Sequence, residues 1–267
     1  MTHLEVESEQ AYIDRAHERL DAMREAARAL SAEVVGDGAG GTFANRVERD
    51  IRVELSSKRL AQLNIGDVSV CFGRLDFADA MRAYIGRIGV SDDNGDQLVI
   101  DWRAPIAEPY YRATSKEPLG VARRRHFVFR GRTITGIDDE LLDRQATTNG
   151  SGLVLMGEGA LIAGLEQART GRMHDIVSTI QQEQDSVIRS DLPGVLVVQG
   201  GPGTGKTAVA LHHAAYLLFT FRQRLERDGV LLVGPNTVFL RYIEQVLPSL
   251  GEHTVGLATP GEIYAGT

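Results

Sequence analysis

A single cysteine, Cys71, occurs among the 267 residues. An internal disulfide is therefore excluded, no cysteine metal cluster can form, and the usage suits a reducing compartment. Within VSVCFG the residue reads as a small buried hydrophobe. Lysine is nearly as scarce: Lys58, Lys116 and Lys206 are the only ones, and arginine supplies the rest of the 29 basic residues. This Arg- and Ala-rich bias matches the usage of high-GC bacterial genomes. The basic residues are outnumbered by 36 acidic ones, for a net charge of −7. That balance argues against a nucleic-acid footprint over the whole chain and leaves room only for a local basic groove. No apolar run approaches the length of a membrane span, and the N-terminal MTHLEVESEQ lacks the basic and apolar regions of a signal peptide. A cytoplasmic location is expected.

The most informative stretch is GVLVVQGGPGTGKT, residues 194–207. A β-type apolar run, 195–198, empties into a glycine-rich turn that closes on Gly205, Lys206 and Thr207, and the helix-forming AVALHHAAYLL follows. This is the G-x-x-x-x-G-K-T phosphate loop in a strand-to-helix context. Triphosphate oxygens are held most readily by backbone N–H groups at a helix N-terminus, where the helix dipole adds its attraction. Gly200, Gly201, Gly203 and Gly205, with Pro202 and Thr204 between them, let the backbone wrap that closely. Lys206 is expected to reach the β- and γ-phosphates of ATP and the Thr207 hydroxyl to ligate Mg²⁺, which makes these two the candidate catalytic residues.

Three regions are expected along the chain. Residues 1–66 form an antiparallel helical hairpin. In its first helix Tyr12, Ala16, Leu20, Met23, Ala27 and Leu30 recur at helical steps, and in its second Val47, Ile51 and Leu55 stand four apart around a glycine-rich break at 36–41. The narrow stripe fits a coiled-coil arm that projects, or a helical pair packed on its own domain. Residues 67–145 form a small antiparallel β-rich module: VSVCFGRL, AYIGRIGV, QLVIDWRA, PYYRA, RHFVFRG and TITGI are strand-like, and DDNGD marks a hairpin turn. Residues 146–267 begin a nucleotide-binding domain. A loop-like connector rich in glycine, from Asp138 to about Arg172, runs into it, followed by a helix over 173–189, the phosphate loop, a helix from Lys206 to about Arg227, the strand 230–233, and a helix capped by Asn236. Strand-helix-strand-helix order requires a parallel sheet with right-handed crossovers. The expected class is thus α/β, an incomplete RecA-like P-loop domain preceded by the hairpin and the β-rich module.

Two features of the β-rich module invite a functional reading. LVIDWR resembles the apolar strand plus Asp that binds Mg²⁺ in P-loop enzymes, but it lies far upstream of the loop and reads as a strand-end acid. Arg123, Arg124, Arg125 and His126, with Arg130 and Arg132, form the one dense basic cluster. On a strand alternate members face opposite sides, so a solvated strand face is expected, with phosphate or RNA contact as the alternative. His212 and His213 point about 100° apart on a helix and are not expected to share a metal.

Gln184, on a helix just before the loop, resembles the adenine-reading glutamine of UvrD-type superfamily 1 helicases, whose amide both donates and accepts. The wider chain resembles HelD-type proteins, bacterial UvrD-like ATPases. The resemblance is carried by the helical hairpin, FGRLDF, YIGRIGV, VIDWRAP with PYYRA, RRRHF, the Gln184 helix, the phosphate loop and VGPN. His213 departs from the arginine expected there. The resemblance implies ATP and Mg²⁺ as cofactors and RNA polymerase core as partner, reached through the 1–66 hairpin, with release of stalled polymerase as the activity. It also implies DNA contact through the full-length motor. Downstream of Thr207 no acid follows an apolar strand, so the chain is expected to be the N-terminal part of a longer motor and, alone, to bind nucleotide weakly if at all and to hydrolyse it poorly. A non-catalytic polymerase-binding module and a fragment of a true DNA helicase are the alternatives.

Overall fold

A computed structural model describes residues 3–36, 43–66, 68–143, 176–244, 246–250 and 255–264. The glycine-rich break, most of the expected connector and residues 173–175 of the expected helix lie outside these residues; the first residues of that connector, 138–141, belong to a strand instead.

Helix α1, His3–Gly36, is built from Ala, Glu, Arg and Leu with no Pro or Gly before its last residue, a composition of good helix formers. Its first three-quarters bury one face, Ile13, Ala16, Leu20 and Ala27, and no later residue described on it is buried. Helix α2, Phe43–Leu63, returns alongside it, and Arg24 Nε donates to Leu63 O at 3.0 Å. The face α2 turns inward is Ser56, Leu60 and Leu63, whereas Ile51 and Leu55 are exposed and the side chain of Val47 lies outside the described residues. The expected stripe thus has the wrong phase. Four-residue steps overshoot a 3.6-residue turn by about 40° each, so a face read at a constant step of four rotates away from its partner. The hairpin is packed at its base and solvated over the remainder of its described length.

A six-stranded sheet follows, in the order β3-β4-β2-β1-β5-β6. The strands are β1 Cys71–Phe77, β2 Arg82–Gly86, β3 Val90–Ser91, β4 Gln97–Asp101, β5 Val121–Arg130 and β6 Thr133–Leu141. The DDNGD turn joins β3 to β4: Gly95 has φ +90°, and Asp92 Oδ1 accepts from the N–H groups of Asn94 and Asp96. The module is mixed rather than antiparallel, because β4, not β3, pairs with β2, and that pair is parallel. A hairpin signal specifies that two strands pair, not which of them docks on the sheet. PYYRA is also not a strand. Pro109 opens the one-turn helix α3, Pro109–Arg112, which buries both Tyr110 and Tyr111. Two adjacent aromatic rings can enter one core from a helical turn, whereas a strand would send them to opposite faces. The Tyr110 ring lies where a Cβ on Gly73 would stand, 2.3 Å from it, so β1 needs glycine there.

The sheet has a core on each side. Toward α1 lie Ile13, Leu20, Cys71, Val99 and Phe127. On the other side Phe72, Leu75 and Ile85 join Trp102, Tyr110 and Tyr111 in a cluster that continues into Ile188, Leu211, Ala215 and Leu250. Each Leu, Ile, Val or Phe side chain among them contributes about 1.5–3 kcal/mol when fully buried.

The C-terminal half contains α4 Gln182–Ile188, α5 Lys206–Thr220, α6 Arg222–Asp228, β7 Val230–Val233, α7 Thr237–Glu244, β8 Val255–Ala258 and α8 Pro260–Tyr264. Strands β7 and β8 are parallel neighbours, and Asn236 Oδ1 accepts from Phe239 N at 2.9 Å, as a cap should. The helix expected over 173–189 is broken into a short 3-10 turn, Val177–Thr179, and α4. The Gln184 side chain bonds back to the Gln181 backbone and starts a new helix there. The apolar run 195–198 forms no strand. Val195 is 92 % exposed and Val197 73 %, and β7 pairs with β8 instead. Strand propensity is realised only when neighbouring strands take up the backbone N–H and C=O groups. An α/β architecture is present with a parallel strand pair; the larger parallel sheet expected around the loop is absent among the described residues.

Candidate functional site

The loop 199–205 enters α5 through Gly205, whose φ of +82° and ψ of 12° place it in the left-handed region as the residue capping the helix. Gly203 shares that region at φ +78°. Side chains other than glycine are strained there. A Cβ on Gly200 would lie 2.7 Å from Thr204 Oγ1, and that hydroxyl donates to Gly201 O at 2.9 Å. The loop thus folds back on itself at Gly200, where a side chain would meet Thr204, while Gly203 and Gly205 are required by their left-handed backbone.

Lys206 is the first residue of α5, and its Nζ donates to Gly200 O at 2.8 Å and Gly201 O at 2.6 Å. The ammonium spans the loop and is held by neutral carbonyls that an anion's oxygens can replace. The N–H groups in the first turn of α5 have no partner within the helix and add their partial positive charge to the same place. Thr207 follows, half-buried, while residues 200–204 are exposed.

Gln184 comes to this loop from α4. A Cβ on Gly205 would stand 3.2 Å from Gln184 Nε2, and Gln184 Oε1 accepts the Gln181 N–H at 3.1 Å. The structure therefore brings together Gln184 and the run from Gly200 to Thr207.

The next residue, Asp185, escaped the sequence reading. It is fully buried, and its two oxygens accept from different arginines: Oδ2 from Arg112 Nε at 2.7 Å and Oδ1 from Arg189 Nε at 2.8 Å. Arg189 also donates to Trp102 O at 2.7 Å and Arg103 O at 3.2 Å. The Asp185–Arg189 pair is legible as an i,i+4 helical contact, but no sequence signal points to Arg112. On the other flank, His213 Nδ1 lies 2.8 Å from Ile188 O, tying α4 to α5. His212 instead engages Ala208 O through Nδ1 at 2.7 Å and accepts Ile176 N–H through Nε2 at 3.4 Å. A cavity of about 510 Å³, lined in part by Val187, Val195, Val198 and Val209, lies beside the apolar run.

Asp101, at the end of β4, is a structural acid, as its sequence position implied. It forms a bidentate pair with Arg103, at 2.9 and 2.7 Å, and Arg103 reaches on to Leu250 O at 3.0 Å and covers the Phe219 ring. Trp102 is buried against His212. The stretch DWR thus joins the sheet to the loop half.

Arg123, Arg124 and Arg125 are not a solvated face, whereas Arg130 and Arg132 at the end of the cluster are exposed. Arg123 pairs with Asp76 and Asp139, Arg124 with Glu140, Arg125 with Glu9 and Asp139, and Arg132 with Asp21. Cross-strand pairing sets Arg124 opposite Glu140 and Arg125 opposite Asp139, so the positive charge is neutralised within the sheet. His126 shares a 2.6 Å hydrogen bond with the Tyr110 hydroxyl, and burial depresses its pKa to about 4. No helix among the described residues is long and apolar enough to cross a membrane.

A family model described as the N-terminal domain of DNA helicase IV HelD matches residues 6–151. That span takes in most of α1, then α2, the whole six-stranded sheet and α3, just over half the chain. No curated protein matches. Gln184 and the glycine-rich loop lie C-terminal to the matched residues, so the reading of that site rests on its own geometry.

Proposed function

The chain belongs to the family of the DNA helicase IV HelD N-terminal domain, and from that membership we propose that it is the N-terminal portion of a helicase-like ATPase that acts on RNA polymerase. Its nucleotide site is the loop from Gly200 to Thr207 together with Gln184, in the first part of a RecA-like domain. One observation carries this reading: the Lys206 ammonium rests on the Gly200 and Gly201 carbonyls at a left-handed glycine cap, with the Gln184 amide against that cap. The donor set fits a Mg²⁺-triphosphate. Gly203 and Gly205 keep the backbone open, Lys206 supplies a point charge for the β- and γ-phosphates, Thr207 supplies a hydroxyl ligand for Mg²⁺, and Gln184 supplies an amide for the adenine edge. When bound, Mg²⁺ would neutralise phosphate charge. The protein's own part is to present N–H donors without reorganisation.

The hairpin of α1 and α2 is the proposed contact with RNA polymerase core. Support comes from its anchored base and from the exposed Leu30, Ile51 and Leu55 beyond it, apolar side chains that a protein channel can cover.

Titration of the protein with a fluorescent ATP analogue in the presence of Mg²⁺ tests the site. Saturable binding that falls tenfold or more in Lys206→Ala is expected, and equal binding by both proteins refutes the site. Co-purification with polymerase core, lost on deleting residues 20–58, tests the hairpin. Polymerase binding and release that both survive Lys206→Ala would leave a non-catalytic binding module in place of a motor.

A further inference from the structure

Gln184 belongs to a helix of only seven residues, Gln182–Ile188, far too short to hold its shape alone. Its position has to be imposed from outside. The side chain that does so most directly is its neighbour Asp185, which is fully buried and charged on both sides by arginine, from Arg112 at 2.7 Å and from Arg189 at 2.8 Å. Arg189 lies on the same local segment, but Arg112 belongs to α3 in the sheet half and is itself clamped by Glu108. The Arg112–Asp185 pair is therefore a direct ionic link between the sheet half and the residue next to Gln184.

We infer that Asp185 is a positioning residue and that the Arg112–Asp185 pair lets the sheet half set how selectively the loop site distinguishes adenine from other bases. The inference rests on the nucleotide reading given above. An amide selects adenine only when its donor and acceptor are held in register with the base edge. A carbonyl-and-amide pair free to rotate or shift accepts either pattern of base edge. The triphosphate contacts depend on Gly200 to Thr207 and involve neither Arg112 nor Asp185. Loss of the pair should then relax base choice and leave phosphate affinity alone. Linkage makes the coupling reciprocal: an effector that binds one arrangement of α3 better, and so changes adenine-nucleotide affinity, has its own affinity changed by adenine nucleotide by the same factor.

The test is competition of ATP, GTP and inorganic tripolyphosphate against a fluorescent ATP analogue with Mg²⁺, on the full chain and on Arg112→Met, Arg112→Lys and Gln184→Ala. Wild type is expected to favour ATP over GTP by about tenfold, the worth of one hydrogen bond. Arg112→Met should reduce that ratio to about threefold or less, as Gln184→Ala does, with tripolyphosphate affinity unchanged within about twofold. Arg112→Lys, which keeps the charge, should recover part of the ratio, a rescue that loss of folding would not show; it also carries the test if Arg112→Met does not fold. An ATP-to-GTP ratio unchanged in both Arg112 variants overturns the inference and leaves the nucleotide site standing, as does an equal loss of tripolyphosphate binding. A wild-type chain that binds neither ATP nor tripolyphosphate overturns both.

Discussion

A methyl group placed on Gly205 would stand 3.2 Å from the amide nitrogen of Gln184, so the cap of α5 and the helix before the loop approach each other closely at this glycine. The same glycine holds φ at +82°. A Gly205→Ala substitution therefore meets two penalties, left-handed strain and a crowded amide. We expect it to cost about 1–2 kcal/mol of stability and to weaken binding of Mg²⁺-ATP by tenfold or more. Thermal melts read the first effect and nucleotide titration the second. Unchanged affinity would show that the loop can accept a side chain at its cap.

Glu9 anchors the hairpin to the sheet. It is 3 % exposed and is contacted by the Arg74 and Arg125 guanidinium groups and by the Tyr84 hydroxyl at 2.9 Å. Breaking a buried pair by removing one partner costs about 3–5 kcal/mol, because the remaining charges stay buried. Glu9→Gln should lower stability at the small end of that range. Hydrogen exchange should also quicken along the first half of α1 before it does so in β1 and β5. Uniform exchange behaviour would place the anchor elsewhere.

Two buried histidines are expected to make the fold less stable in acid. Burial depresses both His17 and His126 to about 4. In the unfolded chain each titrates near 6.5. The unfolded state therefore binds more protons between those values. Their contribution is complete above pH 6.5 and is lost as pH falls toward 4, at up to about 1.4 kcal/mol per pH unit for each histidine. Urea denaturation at pH 7.5, 6.0 and 5.0 should show this decline, and His17→Gln should reduce the slope by roughly half. A stability that is flat between pH 7.5 and 5.0 would contradict the burial of both rings.

Cys71 should be unreactive in the native protein. It is fully buried, its sulfur lies 3.3 Å from the carbonyls of Gly73 and Ile85, and burial pushes its thiol up to about 12. The thiolate is the reactive form. Labelling by a thiol reagent at pH 8 should be negligible until denaturant unfolds the chain, whereas rapid native labelling would mean that the α1 side of the sheet opens readily.

Local chemistry was legible without the structure. The loop from Gly200 to Thr207, the DDNGD turn, the Asn236 cap, the strand 230–233 and the burial of Cys71 each depend on residues close in the chain, where steric limits and hydrogen-bond reach act over a few positions. The hairpin was legible as two helices. The face α2 presents was not, because periodicity gives a stripe only to within the drift of a fixed step, and Ser56 is too small and polar to announce an interface.

What the tertiary structure decided is pairing across distance. That Arg123, Arg124 and Arg125 are neutralised by Asp76, Asp139, Glu140 and Glu9 depends on the register of three strands and a helix, and an arginine run looks the same in sequence whether or not acids face it. That β2 and β4 are parallel depends on which hairpin arm docks. The run 195–198 carries strong strand propensity yet stays unpaired and exposed, because propensity belongs to the residue while a ladder belongs to its neighbours. Asp185 shows the same division: its partner on the next helical turn could be read from the chain, and its partner Arg112 could not, since nothing local couples residues that only the fold brings to 2.7 Å.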